Sequence, residues 1–128
     1  QEDLSLLLEM LQQGKQLVSE LARFSIASIL APEGRSGGEG AEEVAALFTA
    51  YLEAQRGVQA MLAPPFASVM EEMERAMTAA YLSYEHYMKS GEQQALWVVQ
   101  QELIQFALAY ERWIKTLHQV AQQELGSF

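Results

Sequence analysis

Three kinds of side chain in this sequence could support chemistry, and their spacing decides what each can do. The two histidines, His86 and His118, are the natural candidates for metal ligation or proton transfer. Helical bundles that bind metals bring imidazoles together through inward-pointing Glu-x-x-His pairs, and no Glu-x-x-His occurs in this chain. His86 stands between Glu85 and Tyr87, and His118 follows Leu117 one heptad after Glu111. Both fall off the apolar seams described below and are expected to face solvent. The carboxylates Glu71, Glu72 and Glu74, followed by Arg75, fall off the Met70/Met73/Met77 stripe and predict a solvated face. Catalysis by paired carboxylates needs two such groups held apart in a partly buried cleft, and no pair here meets that requirement. Gly34, Gly37, Gly38 and Gly40 lack the preceding strand and following Lys-Ser/Thr of a phosphate-binding loop, so a flexible connection is expected. Without cysteine there is no thiol nucleophile, disulfide or thiolate metal site. A non-enzymatic protein with no catalytic, cofactor or metal residues is the expectation.

One polar residue interrupts the apolar pattern. Gln55 occupies a seam position and is predicted to share a layer with Leu17, Met73 and Tyr110. A buried amide left unpaired costs about 1–3 kcal/mol, which nominates the Tyr110 hydroxyl as its partner. Such a residue either fixes register, as single polar seam residues do in coiled coils, or anchors a ligand. The second case would give an apolar pocket lined by Tyr51, Gln55, Met73, Met77 and Tyr110.

The elements that would position these residues are helices. From Leu96 to Val120 apolar residues alternate three and four apart: Leu96, Val99, Leu103, Phe106, Tyr110, Trp113, Leu117 and Val120. Only a helix packed along its whole length needs that spacing. Gly and Pro cut the chain into helices predicted at about 3–30, 41–63, 66–89 and 92–124, with Asp3 as a plausible N-cap and a Gly-rich connection over 32–40. There is no Asn, and Asp3 is the single Asp, so the chain is poor in turn formers and in the short carboxylates of calcium loops. At 128 residues this is one domain, residues 1–128, large enough to bury a core without staples. Short connections between the last three helices predict an all-α, antiparallel up-down-up-down four-helix bundle. Matching the seams by size places Gly14 with Val58, Met70 and Trp113, and Ala80 between Phe24 and Phe48.

The net charge of −9 argues against nucleic acid as a partner, because phosphate backbones demand clustered Lys and Arg. No apolar run approaches the length of a transmembrane segment, and no basic leader precedes an apolar stretch, so a cytoplasmic setting is expected. The remaining signal is surplus apolar surface. Trp97, Ile104 and Leu108 lie away from the fourth helix's seam, while Leu4, Leu6, Leu8, Leu11, Val18 and Ile26 spread apolar groups round the first helix. A helix apolar on most faces is normally covered on most faces. The expectation is therefore a helical interaction or scaffold module, self-associating or docking on a protein partner through Trp97, Ile104, Leu108, Leu8 and Ile26. The alternative is a sensor or carrier that holds a small apolar ligand in the Met/aromatic core.

Overall fold

Helix-favouring stretches interrupted at a few Gly and Pro positions give a bundle of four helices. The computed structural model describes residues 2–31, 40–62 and 64–126, with side chains for 5–31, 40–62, 64, 66–123 and 126. The helices are α1 (Glu2–Leu30), α2 (Ala41–Met61), α3 (Ala67–Ser90) and α4 (Gln93–Gly126). Asp3 lies inside α1 rather than in front of it. The Gly-rich connection predicted over 32–40 falls outside the described residues except for Gly40, whose φ of 81° is one that a residue with a Cβ avoids. Glu42 and Glu43 follow in the first turn of α2, where carboxylates meet the positive end of the helix dipole.

Pro64 does more than stop α2. Residues Pro64–Phe66 form a short 3-10 turn that leads directly into α3, because proline's fixed φ suits the start of a helix as well as its end. The α3–α4 turn is built by Gly91, whose φ of 72° lets its N–H return to the Tyr87 carbonyl at 2.8 Å. The Ser90 hydroxyl donates to the His86 carbonyl at 2.7 Å and accepts from the Glu92 N–H at 3.2 Å, closing the same corner.

The seams predicted from periodicity form the core. Met10, Leu17 and Leu21 of α1 meet Tyr51 and Val58 of α2, Met70, Met73, Met77 and Ala80 of α3, and Leu96, Val99 and Trp113 of α4, all at most 1% exposed. The most extensive packing is between α3 and α4, followed by α1 and α2; α1–α4 and, least of these four, α2–α3 pack less extensively. Across α2–α3 the rings of Phe48 and Tyr81 stack at 4.2 Å, while Gln55 reaches the Met70 carbonyl. Across α3–α4 Phe66 meets Trp113 edge-on at 6.2 Å, and across α1–α4 Gln100 bonds Ser25. In each pair of neighbours low numbers on one helix meet high numbers on the next, as antiparallel helices do.

The layers differ from expectation in register. The space where a Gly14 Cβ would stand is bordered by Tyr51 at 3.1 Å and Phe106 at 3.7 Å, so Tyr51 takes the place expected of Val58 one heptad on. Trp113 packs with Phe66 and Tyr110 instead. A heptad slip leaves an apolar seam looking the same, and the connection between α1 and α2 is too long to fix it.

Candidate functional site

Seven- and four-residue steps along a helix return to nearly the same direction, so Trp97, Ile104 and Leu108 form one line on α4. That line lies opposite the buried Leu96, Val99, Leu103 and Phe106. Trp97, Ile104 and Leu108, together with Leu8 and Ile26 of α1, are each between 48% and 57% exposed. Sequence reasoning missed Leu30, Met61, Leu82 and Ile114, which are also open. Leu30 and Met61 end their helices, where periodicity carries little information. Leu6 was expected to extend the apolar surface of α1. It is instead half-buried against Gly57, its Cδ2 only 2.8 Å from where a Cβ on that glycine would stand. Leu11 and Val18 are half-buried against the core, and the side chain of Leu4 lies outside the described residues.

The polar seam residue is fully paired within the protein. Gln55 Oε1 accepts from the Tyr51 hydroxyl, and Gln55 Nε2 donates to the Met70 carbonyl at 2.8 Å. Its partner is thus Tyr51, one turn earlier on the same helix, and not Tyr110. Burial pushes the Tyr51 hydroxyl well above the ordinary tyrosine range, and the Glu74 carboxylate pushes it the same way. The phenol therefore stays a neutral donor. Gln55 and Met77 are wholly buried.

Tyr51, Met73 and Tyr110, the other three residues of the expected pocket, line an open groove of about 840 Å³ between α1 and α4. Its floor is the buried set Met10, Gly14, Tyr51, Met73 and Phe106, in which Tyr51 and Phe106 meet edge-on at 5.8 Å. Leu11, Val18 and Tyr110 are half-buried on its walls, and Tyr110 stacks on Trp113 at 6.3 Å. Gln12, Lys15 and Ser19 stand exposed at its rim. Gly14 was legible as a small residue facing a ring, but the groove between α1 and α4 depends on how the helices sit against each other, which periodicity does not encode.

Both histidines and two of the clustered carboxylates are engaged at the surface. His86 Nε2 lies 3.3 Å from a Glu92 carboxylate oxygen, and His118 lies 3.3 Å from the Gln122 amide, both exposed. Glu72 pairs with Arg112 at 2.5 Å and Glu74 with Arg56 at 3.8 Å, so two of the three clustered carboxylates serve cross-helix ion pairs. Among the described residues no three of His, Asp and Glu converge as a metal site, and no helix is long and apolar enough to cross a membrane. No protein-family model, curated protein or solved structure matches this chain.

Proposed function

We propose that this chain is a non-enzymatic helical interaction module that docks on a second copy of itself, or on a protein partner, through the outer face of α4 with Leu8 and Ile26 of α1. The observation that carries this reading is the single line of Trp97, Ile104 and Leu108, each about half exposed on the side of α4 away from the core. Scattered surface apolar residues need no explanation, but large ones aligned on one face mark interaction surfaces. A tryptophan in such a patch is a typical energetic anchor, and truncating one commonly costs 2 kcal/mol or more.

The test is the double substitution Trp97→Ser with Ile104→Ser. Light scattering at two concentrations should give an oligomer for the parent chain and a monomer for the variant, with helical circular dichroism unchanged in both. A variant with the parent's mass and partner binding refutes the proposal. A parent that is monomeric at both concentrations rejects self-association and leaves a different protein as the partner.

A second reading, a carrier or sensor of a small apolar ligand, is favoured by the groove. Ligand sites are commonly concave, mostly apolar and about 300–1,000 Å³, with few polar groups, and the groove of about 840 Å³ has that character. Its methionines, Met10 and Met73, are side chains that adapt to a guest.

A further inference from the structure

We infer that the α1–α4 groove takes a single-chain amphipathic carboxylate, of the fatty-acid class, with its alkyl chain on the floor and its head group at Lys15. This rests on the ligand-binding reading of the groove and adds the class of ligand to it.

Charge carries the inference. The chain has net charge −9, yet no Asp or Glu lines the groove, and Lys15 is its one charged residue. Arg23, Arg56, Arg75, Arg112 and Lys115 each pair with a glutamate, at 2.5–3.9 Å. Lys15 and Lys89 have no carboxylate within ion-pair reach among the described residues, and of the two only Lys15 lines the groove. A free ammonium at the mouth of an acid-free, apolar groove complements an anionic head on an apolar tail. Gln12 and Ser19 sit three before and four after Lys15 on the helix, so an amide and a hydroxyl flank the ammonium on the same face. The ammonium thus has a polar neighbour about one turn away on either side.

The floor fits the other end of such a ligand. Gly14 lets the ring of Tyr51 pack directly on α1, which closes the floor, and Leu8, Leu11, Val18, Ala107 and Tyr110 give the accessible apolar surface above it. The hydroxyl of Tyr51 is turned to Gln55 and engaged there, so it offers no polar group beneath an alkyl chain. A neutral alcohol of equal length would use the floor without gaining from Lys15, and a cationic amphiphile would be repelled by it.

The experiment is a titration of the full chain with decanoate and with 1-decanol, each below its micelle or solubility limit, followed by two-dimensional amide NMR. Decanoate should shift Gly14, Lys15, Ser19 and Ala107 and bind about two- to fivefold more tightly than 1-decanol, the scale of one exposed ion pair. Lys15→Gln, at an exposed position, should erase that preference. Ala107→Trp, also exposed and on the groove wall, should abolish binding of both, and circular dichroism checks that each variant is folded. Equal affinities for acid and alcohol, or a preference that survives Lys15→Gln, overturn the carboxylate inference and leave the ligand-binding reading standing. Absence of binding by both probes, or shifts confined to Trp97, Ile104 and Leu108, overturns the two together.

Discussion

At the scale of single residues, the buried pair of Tyr51 and Gln55 is the most exacting feature of the core. Each supplies what the other needs, an O–H and an amide oxygen, in a place where neither can reach water. Removing one partner strands the other, and a stranded buried group costs about 1–3 kcal/mol. Gln55→Leu and Tyr51→Phe should therefore each lower the free energy of unfolding by about that much in urea denaturation. The double variant should lose at least about 1 kcal/mol less than the two single losses combined, since two neighbouring apolar groups have nothing left to satisfy. Strict additivity would show that the two side chains do not depend on each other. The polar anomaly itself was legible in the sequence, because an amide interrupts an otherwise apolar seam. Its partner was not: the tyrosine one turn earlier on the same helix and the tyrosine across the layer are equal candidates until the direction of each side chain is known.

At the scale of the elements, the faces of the helices were legible and the register of one pair was not. Periodicity determines which side of a helix is buried, and the predicted seams are the buried ones. It does not choose between alignments a heptad apart. Between α3 and α4 the tight turn at Gly91 leaves little freedom, whereas ten residues separate α1 from α2 in the sequence. The choice there is made by two glycines. Gly14 of α1 receives the ring of Tyr51, and Gly57 of α2 receives the methyls of Leu6, so each helix offers a hole to a side chain of the other. Alanine at either site gains helix propensity, about 0.8–1 kcal/mol, and the outcome depends on what must move. A Cβ at position 14 would stand 3.1 Å from a ring held by Gln55 and packed on Phe106. At position 57 it would meet the free end of half-buried Leu6, which can change rotamer. Gly14→Ala should lower the melting temperature despite its better propensity, and Gly57→Ala should leave it unchanged or raise it. If Gly14→Ala is the more stable variant, the ring of Tyr51 is not the fixed knob that sets this register.

At the scale of the whole molecule, the outward surfaces and the chemistry of the core separate cleanly. The exposed apolar line was legible because Trp97, Ile104 and Leu108 lie opposite their helix's seam, whereas residues that only flank a seam, such as Leu11 and Val18, turn partly inward. The groove was not, because its lining comes from all four helices and depends on their relative placement. The ion pairs that join the helices are solvated and individually worth little, so the pH dependence of stability should be governed by buried phenols rather than by surface carboxylates. Tyr81 is the clearest case. It is buried against Phe48 and donates to a Glu85 carboxylate oxygen at 3.1 Å. Its hydroxyl is pushed up to about 12, first by burial and then by the hydrogen bond and negative charge of Glu85. The folded chain therefore holds this proton more tightly than the unfolded chain, whose tyrosines titrate near about 10. The stability that this confers is fully present below pH 10 and is lost as pH rises from there through about 12. Tyr51, shifted the same way by deeper burial, extends the loss to higher pH. Urea midpoints measured from pH 8 to 12 should be level at first and then fall steeply above pH 10. Tyr81→Phe should start lower by about 0.5–1.5 kcal/mol, the worth of its hydrogen bond, and then fall less steeply, so that the two curves converge on the alkaline side. Parallel curves would mean that Tyr81 gives up its proton as readily in the bundle as in water, and that the phenol is not buried as the packing of α2 on α3 requires.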